Sequence, residues 1–202
     1  MFRLTRYLQA LAESGSEAAP RRVQPAVRSG PVVIWNLIRR CNLTCKHCYA
    51  TSTDKDFPGE LSRAEVFAVM DDLKRYGVPV LILSGGEPLM HPDIIDISQR
   101  ARAMGFYVGL SSNGTLITRD NIASIAGIGY DYVGISLDGM RETHDRFRRR
   151  LGAFDQALRG IRLCLDAGIK VGLRFTLTRD NARDLPDLLR LMEREEIGRA
   201  HV

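Results

Sequence analysis

Short, near-continuous apolar runs alternate along this chain with longer stretches whose apolar positions recur every three or four residues. The runs "VVIWNLI" (32–38), "VPVLIL" (78–83), "FYVGLS" (106–111), "DYVGISL" (131–137) and "KVGLRFTL" (170–177) predict five strands. Apolar character on successive residues marks strands covered on both faces. The intervening stretches predict helices. One spans 63–76, opened by Ser62 with Glu65 three positions on, a capping box, and closed by Gly77. Another starts at Pro92 and ends at Gly105, a short one covers 119–126, and one begins at 184 and runs to 196. A fifth covers 153–167, with Phe154, Leu158, Ile161 and Leu165 on one face and Gly168 closing it.

Strand and helix alternate without a hairpin signal, so the expected fold is α/β, a parallel sheet covered by helices. Five βα units in one direction curl into part of a barrel. Chemistry in such folds sits at the C-terminal ends of the strands. Every unusual motif of this chain falls there, in 39–49, 84–88, 111–114, 136–139 and 174–181. Ahead of the first strand, residues 3–12 predict a short helix, and 13–31, rich in Ser, Gly, Ala, Pro and Arg, a linker.

Composition narrows the function classes. With 202 residues, 45% of them hydrophobic, the chain can bury one substantial core. No stretch approaches the length of a membrane span, and the start shows no signal-peptide pattern. Together with the cysteine usage this reads as a reducing, cytoplasmic setting. The net charge of +5 permits an anionic ligand. Nucleic acid is not the expected one, because the arginines are scattered rather than interleaved with aromatics, "RFRRR" at 146–150 excepted.

The chemistry concentrates in "NLIRRCNLTCKHCYA" (36–50), where Cys41, Cys45 and Cys48 stand in Cys-x3-Cys-x2-Cys spacing. A structural zinc takes four ligands. The fourth cysteine, Cys164, falls on the apolar face of the 153–167 helix and reads as a core residue; His47 is a ligand by composition only. An iron–sulfur cube is usually held by four cysteines. Three leave one iron open to a small molecule. Arg174 interrupts an apolar strand, and a buried guanidinium needs an anionic partner.

Three cysteines at this spacing after the first strand of a βα series resemble the radical S-adenosylmethionine (SAM) superfamily. The resemblance implies a partial (β/α)6 TIM-like barrel. It makes Cys41, Cys45 and Cys48 the ligands of a [4Fe-4S] cluster whose fourth iron takes the amino and carboxylate groups of SAM. The reduced cluster then cleaves SAM to a 5'-deoxyadenosyl radical. In "SGGEP", Gly85, Gly86 and Glu87 are implied to hold the SAM amino group. Asn113 in "SSNG" is implied at the site, and so are Ser136 and Asp138 of "SLDG", near the ribose or methionyl end. Arg174 is implied to meet the SAM carboxylate, and His47 and Tyr49 to flank the cluster, His47 against the adenine.

The stretches "DFPGELSRAEVFAVMDDLKRYGVPVLILSGGEPLMHPDI" and "DYVGISLDGMRETHDRFR" are most similar to the haem d1 branch of that superfamily (the NirJ type). That branch implies removal of propionate chains from the tetrapyrrole 12,18-didecarboxysirohaem, with electrons from a flavodoxin or ferredoxin. Arg146 and Arg148 are then candidates for holding substrate carboxylates, against the alternative of a solvated loop. Sister activities stay open: alternative haem synthesis, peptide or sulfatase maturation, or non-catalytic metal or tetrapyrrole binding. The branch also implies a sixth βα unit and a C-terminal extension carrying a second cluster. Strand five is therefore expected to be an exposed edge. "IGRAHV" resembles a translated library adapter, giving the expected division 1–31 extension and linker, 32–196 truncated core, 197–202 non-native tail.

Overall fold

The structure, a computed structural model, describes residues 30–201, and side chains as far as 198. The helix expected at 3–12 and almost all of the 13–31 linker lie outside the described residues. The element order is β1 (Val32–Ile38), α1 (Arg63–Arg75), β2 (Val80–Gly85), α2 (Ile94–Ala103), β3 (Tyr107–Ser112), α3 (Ile122–Ile128), β4 (Tyr132–Ser136), α4 (Arg141–Arg148), α5 (Ala153–Asp166), β5 (Val171–Arg174), α6 (Leu185–Arg194) and β6 (Arg199–His201). All six strands are parallel and pair in sequence order.

Period-two alternation divides each strand between two environments. Leu81, Leu83, Val108, Leu110, Val133, Ile135, Val171 and Leu173 are buried and form one core with Met70, Ile97, Ile125, Ile161 and Leu188 of the helices. The opposite face carries Ile34, Ile82, Gly109 and Tyr132 in one register row, and Ser136 opposite Arg174 at its C-terminal end. Polar side chains on that face therefore collect at one end of the sheet. The capping box forms as expected: Ser62 Oγ accepts the Glu65 N–H and the Glu65 carboxylate accepts the Ser62 N–H at 2.8 Å. Such a cap contributes about 1 kcal/mol.

Four features differ from expectation. Residues 141–148, expected as a loop, form α4. Its buried residues are Thr143, His144, Asp145, Phe147 and Arg148, mostly polar, so no apolar stripe marked it as a helix. The strand at 170–177 ends at Arg174, and the helix expected at Pro92 begins at Ile94, after a 3-10 turn at Pro88–Met90. β5 is not an edge: Gly172, Leu173 and Arg174 pair with Arg199, Ala200 and His201 of a sixth, three-residue strand. Among the described residues no helix is long and apolar enough to cross a membrane.

Candidate functional site

The chain leaves β1 at Ile38 and folds into a loop closed by Cys41 N–H donating to Thr53 O at 3.1 Å. Lys46 N–H donates to Phe147 O at 2.8 Å, tying the loop to α4. Cys41, Cys45 and Cys48 are free thiols. All three line one cavity of about 280 Å³, whose wall also includes His47, Tyr49, Gly85, Gly86, Asn113, Ser136, Arg148 and Arg174. Cys164 is wholly buried in the core, where burial pushes its thiol up to about 12. It plays no part in the cavity, as expected for a packing residue.

The thiols differ in their surroundings. Burial raises Cys41 to about 11, with the charges of Glu87 and Cys45 adding, against hydrogen bonds from the Leu43 N–H and the Asn113 amide. Burial also opposes ionisation of Cys48, but donors from Ser52, Ala50 and Thr51 outweigh it and lower the thiol. Among the described residues no three His, Cys, Asp or Glu side chains converge on one ion position. A mononuclear zinc needs ligands within ~2.3 Å of one point. Three thiols on one cavity wall fit a cluster whose irons would each take one thiolate.

The glycines after β2 serve a closer neighbour than a ligand. A Cβ on Gly85 would meet Ile38 O at 2.3 Å, and one on Gly86 would meet Arg40 O at 2.3 Å. Gly86 N–H donates to Ile38 O at 2.6 Å and Glu87 N–H to Arg40 O at 2.9 Å. The two glycines thus let the end of β2 lie against the strand leading into the cysteine loop. Glu87 differs from its expected role. Its wholly buried carboxylate is not in the cavity wall; it accepts Asn113 N–H (2.8 Å), Ser112 Oγ–H (2.8 Å) and Leu89 N–H (3.1 Å). Burial raises its pKa, with those hydrogen bonds opposing. Asn113 is held in turn by Thr115, whose N–H and hydroxyl both donate to its Oδ1, and its amide reaches Asn42 Oδ1 at 2.9 Å and Cys41 Sγ at 3.9 Å.

After β4, Asp138 is enclosed rather than facing the cavity. Its Oδ2 lies 2.6 Å from Arg148 Nη2 and 3.3 Å from His47 Nε2, and its Oδ1 accepts Thr176 N–H at 3.2 Å. The main chain of Asp138 is gripped by His144 Nδ1 and the Asn181 amide. Burial, then Arg148 and His47, push His144 down to about 3. Burial lowers His47 as well, Asp138 partly offsetting it. Of the two arginines expected to hold substrate carboxylates, Arg148 lines the cavity but is already engaged there. Its guanidinium is buried, spent on Asp138 and on Cys45 Sγ at 3.4 Å, while Arg146 stands exposed on α4. Positions 146 and 148 are two apart on a helix, hence on different faces.

The family model for the radical SAM superfamily matches residues 35–192, from β1 through most of α6. The chain belongs to the radical SAM superfamily. It is 48% identical over all 202 residues to pre-heme d1 synthase of Dinoroseobacter shibae, of which it covers 49%. It is 51% identical over 169 residues to Fe-coproporphyrin III synthase of Methanosarcina barkeri, using 84% of this chain and 42% of that one. This radical SAM chain thus spans about half the length of the curated relatives it matches. Among solved structures, Streptococcus suis SuiB bound to S-adenosylmethionine superposes with a TM-score of 0.71 at 16% identity, over 81% of this chain and 38% of that one. Native anSMEcpe with bound AdoMet and Cp18Cys peptide gives 0.68 at 20% identity, over 83% of this chain and 48% of that one. These likenesses show the fold.

Within this radical SAM domain, Arg174 ends β5 with its guanidinium against the Ser111 hydroxyl, and among the described residues it has no carboxylate partner. Ser136 stands beside it in the register. Tyr49 is largely exposed and its hydroxyl donates to Asn36 Oδ1 at 3.0 Å, on the cavity's outer wall. Ser111, His144 and Asn181 escaped the sequence reading. Ser111 stood inside the quoted "SSNG" motif, but nothing in the pattern around His144 or Asn181 distinguished them.

Proposed function

We propose that this chain is the cluster- and SAM-binding part of a radical SAM enzyme of tetrapyrrole biosynthesis, removing propionate side chains from 12,18-didecarboxysirohaem on the way to haem d1. The observation that carries the reading is the gathering on a single cavity of three free thiols and the guanidinium of Arg174, which has no carboxylate partner among the described residues. Cys41, Cys45 and Cys48 would hold a [4Fe-4S] cluster. When bound and reduced, that cluster supplies the electron that cleaves the SAM sulfonium.

The chain's own residues bind and orient. Arg174, with the Ser111 hydroxyl fixing one edge, offers its free donors to the SAM carboxylate. The backbone of Gly85 and Gly86 and the amide of Asn113 present polar groups to the amino end, and Ser136 to the ribose side. Burial raises the Cys41 thiol to about 11, so binding a cluster there would release its proton. Glu87 and Asp138 act from behind the wall, holding the β3 and β4 loops in place.

The tetrapyrrole substrate is supported by the names of the relatives at 48% and 51% identity, both makers of tetrapyrroles. The higher identity over the shorter span favours a second reading, formation of an iron-coproporphyrin by loss of acetate side chains from the same precursor. A low-potential flavodoxin or ferredoxin is proposed as electron source, in the cytoplasm. The second cluster of the reading is assigned outside this chain, because the remaining cysteine, Cys164, is buried in the core. The test is anaerobic incubation of the reconstituted protein with SAM, reductant and each tetrapyrrole. The reading requires 5'-deoxyadenosine and loss of two propionates from didecarboxysirohaem. Conversion of didecarboxysirohaem to an iron-coproporphyrin with its propionates intact selects the second reading, and 5'-deoxyadenosine with no tetrapyrrole consumed removes both.

A further inference from the structure

Among the described residues, Cys45 is the one cluster-loop thiol with a charged side chain as hydrogen-bond partner. Arg148 Nη1 donates to Cys45 Sγ at 3.4 Å, while Nη2 lies 2.6 Å from Asp138 Oδ2. The donors to Cys41 and Cys48 are neutral: the Leu43 N–H and the Asn113 amide for Cys41, and Ser52 with the Ala50 and Thr51 N–H groups for Cys48. The guanidinium is 8% exposed and its counter-ion Asp138 is 1% exposed, so water and salt screen neither strongly. Nothing about the arrangement is loose. Arg148 closes α4, whose preceding residue Phe147 accepts the Lys46 N–H from the cysteine loop, and Asp138 is held by Thr176, His144 and Asn181. The planar fork has one edge on a thiol and another on a carboxylate, a geometry that a lysine point charge does not reproduce.

We propose that Arg148 sets the reduction potential of the cluster held by Cys41, Cys45 and Cys48, acting through the Cys45 sulfur as a positioning and tuning residue. The inference rests on the cluster assignment made above. On reduction the cluster takes one electron from a low-potential one-electron carrier, and its core charge passes from 2+ to 1+. The added negative charge spreads onto the ligating sulfurs, where a cationic donor stabilises the reduced form more than the oxidised one. Arg148 therefore raises the potential and brings the cluster within reach of its electron source.

The test is a potentiometric titration of the reconstituted protein followed by the electron paramagnetic resonance signal of the reduced cluster. Arg148→Gln, with cluster retained, is expected to lower the reduced-to-oxidised ratio at a fixed potential at least tenfold, which is 59 mV for a one-electron couple. Arg148→Lys is expected to recover part of that shift. The double variant Arg148→Gln with Asp138→Asn leaves no unpaired buried charge and guards against a fold that fails with Arg148→Gln alone. It is expected to stay low as well. A wild-type potential in either glutamine variant overturns the proposal, the double variant by showing that the Asp138 charge was the cause. Wild-type protein that retains no iron and sulfide overturns instead the cluster assignment beneath it.

Discussion

The buried carboxylate of Glu87 accepts the backbone N–H of Asn113 at 2.8 Å, joining the end of β2 to the end of β3 across the back of the cavity. Through Asn113, whose amide faces Cys41 Sγ, this single side chain positions part of the cluster loop without entering the cavity. Glu87→Gln places an amide N–H₂ against donors from Ser112, Asn113 and Leu89. The expected loss is about 1–3 kcal/mol of stability, the cost of a buried donor left unmade. Denaturant unfolding of the variant measures it, and an unchanged midpoint contradicts the assignment.

Removing any one of the thiols Cys41, Cys45 or Cys48 as alanine is expected to abolish both cluster retention and SAM cleavage. Cys164→Ala, in the core, is expected to keep both and to cost about 1 kcal/mol of stability. Iron and sulfide analysis after reconstitution separates the two groups, and equal loss at Cys164 contradicts the division.

At Gly86 the conflict is with backbone. A Cβ there meets Arg40 O at 2.3 Å and Arg39 O at 2.4 Å, atoms that cannot move without displacing the cysteine loop. Gly86→Ala is therefore expected to cost about 1–3 kcal/mol or more and to reduce cluster occupancy. Thermal unfolding of the apoprotein reads the first effect alone. A stable Gly86→Ala protein would show that the loop can shift.

Arg174→Met keeps roughly the length of the side chain and removes the charge proposed to meet the SAM carboxylate. SAM affinity of the cluster-loaded protein is expected to fall about 10- to 100-fold, the range of a hydrogen bond to a charged group. Equilibrium dialysis with labelled SAM reads it. Cluster content should not change, because Arg174 touches no thiol; its recorded contact is Ser111.

Acid should loosen the β4 loop through His144. Burial, then Arg148 and His47, hold its imidazole neutral down to about 3, whereas the unfolded value is 6.5. Between those values the unfolded chain binds the extra proton. The contribution of His144 is thus complete above pH 6.5 and is lost as pH falls toward 3, on the order of a few kcal/mol. His144→Asn can still accept the Asp138 N–H but cannot titrate. Its stability is expected to vary less between pH 6.5 and pH 4 than that of the wild type, by chemical denaturation at each pH.

The strand and helix order was legible because each element carries its own period: near-continuous apolar residues in β2 to β5, a capping box before α1, and an apolar stripe along α5. The spacing of Cys41, Cys45 and Cys48 was legible for the same reason, since a ligand motif in one loop is local. α4 was not. Its buried face is Thr143, His144, Asp145 and Arg148, residues whose burial is tolerable only because Asp138, Cys45 and the Gly152 and Phe154 N–H groups stand opposite them.

By itself, then, the sequence determined a parallel α/β sheet with its chemistry at the strand ends, because periodicity and motif spacing are properties of neighbours along the chain. Which side of the cavity wall each polar residue occupies was decided only by the tertiary structure. Glu87 and Asp138 turned inward to brace loops, Arg148 left the rim for a thiol, and Gly85 and Gly86 made room for the β1 exit. Those outcomes depend on partners brought together from across the chain, 103 residues away between Arg148 and Cys45. A charge or hydrogen-bond donor goes where its counterpart is, and local pattern carries no record of that.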